Sequence, residues 1–346
     1  MMGVRRTRMA WVVVVFLLGV LWAGPIKAAD YKVSIHDAAR VFPGTTLLAD
    51  MSQVEWPRIV EVDFSGKIVW QHRLRTARGE RSALLDAALL ENGNILYTMT
   101  NRGIYEIDRS GRVVWKHEDP GASHDADRLP NGNTLYNRAW QPKGSPVVVE
   151  VDREGRTVWS WNGVEAFDKP PFANVDHEGW MHVNSVTRLT NGNTLISIRN
   201  FNTVVEVDPS GKVVWQITFR GHDKRIGLAT EGKIVGVLNH EPEPLDNGHI
   251  LLALRQPQRF VEIDRATGTE VWSWSHPDGD RALFLNREAN RLPNGNTLGS
   301  AGDKLIEIAP DGTIVWQIHA PSGGQNERKF HKAIRIAPDG RTSYGG

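Results

Sequence analysis

Three residues in one short stretch carry the side chains best suited to holding an oxyanion. Residues 180–200 read WMHVNSVTRLTNGNTLISIRN and contain His182, Asn184 and Arg199. An imidazole is both nucleophile and proton carrier near neutral pH, an amide donates without charge, and a guanidinium fork matches a tetrahedral oxyanion with paired N–H bonds. Asn191-Gly192-Asn193 is a turn signal, and the segments on either side have strand composition, so the stretch reads as a β-hairpin. His182 then begins the first strand and Arg199 ends the second, which returns both to the same end. Alternation along the strand sets Asn184 on the same face as His182.

The pattern recurs along the chain. Aligned on the turn, His124 opens HDADRLPNGNTLYN, His240 opens HEPEPLDNGHILLAL and His331 opens HKAIRIAPDG, while Leu85, Asn184 and Arg287 take that place in the other copies. Arg255 stands at the Arg199 offset in the copy that starts at His240. A single His at such a place reads as a channel-lining residue bonded to water. Several on adjacent copies, with two arginines, read as an anion site.

A second motif follows each hairpin: VDFSGKIVW (62–70), IDRSGRVVW (107–115), VDREGRTVW (151–159), VDPSGKVVW (207–215), IDRATGTEVW (263–272) and IAPDGTIVW (308–316). The intervals between their tryptophans are 45, 44, 56, 57 and 44 residues. A period of about 40–50 residues with four strands per unit is the signature of a propeller blade. The expectation is an all-β, six-bladed β-propeller of four-stranded blades filling residues 30–346, with the six tryptophans buried between blades. The first strand of each blade lines the central channel, so the His and Arg side chains point toward the axis from one end. Phe330 to Ile336 repeats the inner-strand pattern and is expected to pair with Thr45–Asp50, closing the ring and removing its exposed edges. His36 is not expected to begin an inner strand, because Pro43-Gly44 stands where the hairpin turn should be. The two long intervals hold insertions at 163–179 and 219–237, just before His182 and His240, where a lid or pocket wall would lie.

Composition narrows the chemistry. The chain has 346 residues and no cysteine, which excludes a disulfide, a thiolate nucleophile and a Cys-ligated metal centre. No metal site and no cofactor is indicated. Arg5, Arg6 and Arg8 precede an uncharged, mostly apolar run from Met9 to Gly24, and Ala28-Ala29 offers a cleavage site. Residues 1–29 therefore read as a signal peptide, with a mature protein in the periplasm or secreted and no membrane association after cleavage. Removing Arg5, Arg6, Arg8 and Lys27 takes the formal charge from +1 to −3, and no basic tract remains to bind nucleic acid.

The string WMHVNSVTRLTNGNTLISIRN, with HDADRLPNGNTL before it and NHEPEPLDNGHILLAL after it, resembles the bacterial arylsulfate sulfotransferases. The most specific piece is His-x-Asn followed by Arg at the end of the next strand. The resemblance implies a six-bladed propeller exported to the periplasm, which moves a sulfuryl group from an aryl sulfate donor to a phenolic acceptor without a nucleotide, through a transiently sulfated histidine. Carried over by position, His240 is the nucleophile, and His124, His182, Asn184 and Arg199 surround the sulfuryl oxygens, with Arg255 and His331 as further substrate-binding groups. Two departures stand beside His240. Leu238-Asn239 replace the usual Gly-Gln, and Glu241 and Glu243 follow, carboxylates that would repel a sulfate ester unless they point away. The alternative is a periplasmic binding or scaffold propeller, since IDRATGTEVWSW also looks like a unit of the pyrroloquinoline-quinone propellers. The axial His and Arg cluster discriminates, because a scaffold has no reason to converge those groups.

Overall fold

Six antiparallel sheets account for nearly all the regular structure. The structure is a computed structural model that describes residues 31–53, 55–76, 82–219, 236–321 and 329–342. The proposed signal peptide and most of the 219–237 insertion lie outside the described residues. Blade two runs through Leu84–Leu89, Ile95–Met99, Gly103–Ile107 and Val113–Glu118, and blade three through Ala126–Arg128, Thr134–Asn137, Val148–Val151 and Thr157–Trp161. Blade four comprises Val183–Arg188, Thr194–Ile198, Thr203–Val207 and Val213–Thr218, and blade five His240–Pro244, His249–Arg255, Gln258–Asp264 and Thr269–Trp274. Blade six comprises Asn286–Arg291, Thr297–Ala301, Lys304–Ile308 and Ile314–His319.

Blade one is assembled from both ends of the chain. Phe330–Ile336 is its inner strand and pairs antiparallel with Thr45–Asp50, followed by Arg58–Val62 and Ile68–Arg73. Ring closure is therefore as the repeat implies. Lys32–His36 takes the opposite place, pairing with Ile314–His319 as a fifth, outermost strand of blade six, so His36 is far from any inner strand. The two ends of the propeller thus overlap across one interface.

The core lies between blades. One apolar cluster joins blades three and four through Leu135, Val148, Trp161, Val183, Val186 and Ile196. Another joins blades six and one through Leu298, Trp316, Leu48 and Phe330. Outer strands alternate half-buried and exposed residues, as one face packs on a neighbour and the other meets water.

The repeated tryptophan acts as a latch, and here the expectation of full burial needs correction. Only Trp316 is fully buried, while Trp70, Trp115, Trp159, Trp215 and Trp272 are half-buried on outer strands. Indole N–H groups reach carbonyls of the next blade, Trp70 to Arg109 at 2.9 Å, Trp115 to Arg153 at 2.8 Å and Trp316 to Phe64 at 3.1 Å. A glutamate directly opposite each tryptophan accepts a guanidinium: Arg128 to Glu106 at 2.9 Å, Arg188 to Glu150 at 2.6 Å, Arg291 to Glu262 and Arg335 to Glu307 at 2.7 Å. The same arginines lie over the indoles, 4.3 Å from the ring centre for Arg128 on Trp115. The latches thus combine an ion pair and a cation–π contact between sheets, and at Trp70, Trp115, Trp159, Trp215 and Trp316 an indole hydrogen bond as well.

Deleting residues 330–346 should abolish cooperative unfolding in a calorimetric scan, and an unchanged transition would contradict closure through this strand. In urea unfolding, Trp316→Ala should lower stability by about 3–5 kcal/mol, the usual cost of emptying a buried aromatic site, and Trp115→Ala by less.

Candidate active site on the channel axis

A β-bulge recurs at the head of the inner strands. Register slips between Leu84 and Asp86, Val183 and Ser185, His240 and Glu243, and Asn286 and Glu288. In blade three, Ser123 N–H donates to the Asn137 carbonyl and Asn137 N–H to the Asp125 carbonyl, leaving His124 as the extra residue between them. A bulge frees one side chain from the pleat and re-aims it. The extra residues so freed are Leu85, His124, Asn184 and Arg287.

His182 arrives differently. It lies just outside the strand at φ 48°, a left-handed conformation uncommon for a residue with a Cβ, and Arg199 opens a short 3-10 turn rather than ending its strand. The hairpin still joins them, for Arg199 N–H donates to the His182 carbonyl at 3.3 Å. Simple alternation from His182 to Asn184 is thus replaced by a kink followed by a bulge. Leu238 at φ 51° and Glu241 at φ 45° bracket His240 in the same strained region.

The imidazoles meet. The His124 ring centre lies 5.3 Å from that of His182 and 5.5 Å from that of His331, with Trp140 5.4 Å from His124 and edge-on to His182 at 5.9 Å. His240 and His331 expose 1% and 3% of their surface, so the cluster is nearly dry. Burial pushes the His240 pKa well below the ordinary value, and the positive charges of Arg255, Arg287 and Arg199 push it further. His182 is lowered by burial and then by Arg199, His124 and His240, and His331 by burial and then by Arg287, His124 and His240. These mutual effects place His124, His182, His240, His331, Arg199, Arg255 and Arg287 in one electrostatic neighbourhood.

Two tautomers are fixed by backbone. His240 Nδ1 lies 2.9 Å from the Leu238 carbonyl and His182 Nδ1 3.2 Å from the Glu178 carbonyl. A carbonyl can only accept, so each Nδ1 carries the hydrogen and each Nε2 keeps its lone pair. His331, in contrast, has no hydrogen-bond partner among the described residues at either ring nitrogen. A buried imidazole in that condition suits a ligand that supplies the missing bonds.

Asn184 belongs to the ring by position, but its amide nitrogen donates to the Asn239 carbonyl at 2.9 Å and braces blade four against the approach to His240. The carboxylates after His240 point away from the imidazoles. Glu241 lies 3.0 Å from Lys332 Nζ, and Glu243 accepts the Arg291 N–H at 2.8 Å. The 163–179 insertion forms a wall, with Phe167 and Phe172 packed at a tilt against Phe201 and the Glu178 carboxylate 3.0 Å from Arg199. Arg287 and Trp140 join the site without having been singled out for it. Arg287 was visible as the ring position of its copy, whereas Trp140 has no repeated counterpart. Among the described residues no group of three His, Asp or Glu side chains is disposed to share a metal ion.

A six-bladed propeller with histidines and arginines gathered at the axis defines the class. The sequence profile of Arylsulfotransferase (ASST) matches residues 32–222, more than half of the chain, and the protein belongs to that family. A profile for the outer membrane protein assembly factor BamB matches residues 144–338. No curated protein matches. Among solved structures, a protein of unknown function from Bacteroides caccae superposes with TM-score 0.61 at 20% identity, covering 84% of this chain and 98% of that one. A streptogramin B lyase gives TM-score 0.53 at 12% identity, covering 90% and 94%, and a catalytically inactive variant of the virginiamycin B lyase from Staphylococcus aureus 0.51 at 10%, covering 85% and 90%. At these identities the structural likeness is one of fold.

In a protein labelled with ¹⁵N-histidine, the His182, His240 and His331 signals should stay in the neutral form down to and below the ordinary pKa of about 6.5. A normal titration of His240 would contradict the placement. Because the unfolded chain binds these protons more readily, the stability the three contribute is present above about pH 6.5 and is lost as pH falls.

Proposed function

We propose that the protein is a nucleotide-independent aryl sulfotransferase in which His240 carries the sulfuryl group between a donor aryl sulfate and a phenolic acceptor. The observation that carries this reading is the His240 tautomer, which leaves an unprotonated Nε2 among three arginines. In the first step Nε2 attacks sulfur, the N–S bond forms, and the bond from sulfur to the aryl oxygen breaks. The departing phenolate takes a proton from a neighbouring imidazole. In the second step the acceptor phenol gives its proton back to that imidazole, its oxygen attacks sulfur, and the N–S bond breaks.

Electrostatics support the sequence of events. Burial, reinforced by Arg199, Arg255 and Arg287, holds His240 neutral, which favours nucleophilic attack, while an arriving sulfate ester offsets that positive charge and lets His182 gain the proton needed for the leaving group. Charge on the sulfuryl oxygens is met by fixed donors in a dry site, where such stabilisation is strong. Glu178 competes for Arg199, so Glu178→Gln should lower KM for the donor. Trp140, half-buried beside two imidazoles, offers an aromatic surface for the aryl ring. The basic and apolar character of residues 5–24 favours export, and cell fractionation would test it.

The BamB-type match favours a second reading, a propeller that binds a partner without chemistry. Intact mass separates the two. Mixed with 4-nitrophenyl sulfate alone, the protein should gain one sulfuryl group on His240, and with a phenol it should release nitrophenol with ping-pong kinetics. His240→Ala should lose nearly all activity, and Arg199→Ala about 10²–10³-fold, as for one lost oxyanion donor. Folded protein that neither gains mass nor releases nitrophenol across several aryl sulfates would favour the binding propeller.

A further inference from the structure

One residue beyond the histidine ring lies a second ring. Asp86, Asp125, Ser185, Glu241, Glu288 and Lys332 directly follow Leu85, His124, Asn184, His240, Arg287 and His331 in the chain. None exposes more than 7% of its surface. The Lys332 ammonium lies 2.5 Å from Asp125 Oδ1, 3.0 Å from Glu241 Oε2 and 3.7 Å from Asp86 Oδ1. Carboxylates from blades two, three and five thus converge on one cation from blade one.

The same carboxylates brace the inner strands. Each inner strand is a sheet edge facing the channel, and its N–H groups need partners. Asp86 accepts from Ala126 N–H at 3.2 Å, Asp125 from Val186 N–H at 2.7 Å and Glu288 from Ala333 N–H at 2.5 Å, each in the following blade. One ammonium does not balance four buried carboxylates. Burial, opposed by Lys332, leaves Asp86 raised to about 6 and Glu288 to about 7, while Glu241 and the nearby Asp127 stand well above the carboxylate range. The cage therefore holds protons as well as a lysine.

We propose that Lys332 is the positioning residue of the sulfuryl site: its ammonium ties four inner strands together at the residues adjoining His331, His124 and His240, and so sets where those imidazoles stand. Residues joined by one peptide bond have Cα atoms about 3.8 Å apart, so a shift of Asp125 or Glu241 carries its histidine with it. What the imidazoles do rests on the sulfuryl-transfer reading, but where they stand does not.

Lys332→Met removes the cation. The groups facing that point are Asp86, Asp125, Asp127, Glu241 and Glu288, with His331 beside it on its own strand and uncharged Ser185 from blade four. Asp86, Asp127, Glu241 and Glu288 have folded pKa values above the unfolded ones, so a cage without lysine holds together while they are protonated and comes apart as pH rises. The ¹⁵N signal of His240 in K332M should match the wild type near about pH 5.5 and move away near about pH 8. Single-turnover sulfation of His240 should fall on the order of 100-fold at the higher pH, as a displacement of about 1 Å would give, and recover at the lower. K332R should restore the signal at both pH values. Folded K332M with wild-type His240 signals at both would overturn the proposal. Should K332M not fold, D125N decides: it keeps the side-chain shape in blade three, and the proposal requires the His240 signal in blade five to move, whereas an unmoved signal overturns it. Wild-type protein that is never sulfated sinks only the transfer reading, because the imidazole signals are read without substrate.

Discussion

The antiparallel pairing of Phe330–Ile336 with Thr45–Asp50 is the contact on which the propeller depends. Blades pack through apolar faces in a ring, so each interface is stable only while both neighbours are present. The closing strand completes the last of these interfaces and contributes to the site as well, since His331, Lys332 and Arg335 all belong to it. Arg335 is fully buried against Glu307 and lies over the Trp316 ring at 4.8 Å, so the final strand locks blade one to blade six with the same latch that joins other blades.

The fold was legible because its information is redundant. Any one of the repeated hairpins could be missed, yet the Asp63, Asp108, Asp152 and Asp208 turns each stand seven residues before their tryptophan, Asp264 stands eight before Trp272, and their partner strands follow from them. In the structure Asp63 Oδ1 accepts Ser65 and Lys67 N–H groups, and Asp108 does the same for Ser110 and Arg112, which fixes the spacing of these turns. Full burial of the tryptophans was not legible. Their place on outer strands gives one buried and one wet face, and only the extra strand Lys32–His36 covers Trp316 completely.

The site was legible in membership and less so in geometry. His124, His240, His331 and Arg287 share a repeat position, and the ring follows from that alone. His182 is off by two residues, and nothing in its composition announces a left-handed backbone there. Asn184 looked like a donor to the ligand, yet its amide is engaged by the Asn239 carbonyl, a contact between residues 55 apart that no local pattern could display. The carboxylates at Glu241 and Glu243 seemed hostile to an anion. They are turned away because the bulge after His240 sends successive side chains to different levels of the channel.

That bulge has a consequence for how such a protein can change. In a regular strand every side chain is tied to the pleat, and altering one disturbs the packing on its face. The extra residue of a bulge answers to neither neighbour in the ladder, so the positions of Leu85, His124 and Arg287 can exchange apolar, imidazole and guanidinium groups while the sheets beneath remain as they are. A propeller built this way is a socket with interchangeable pins, able to be rekeyed for a new ligand one blade at a time.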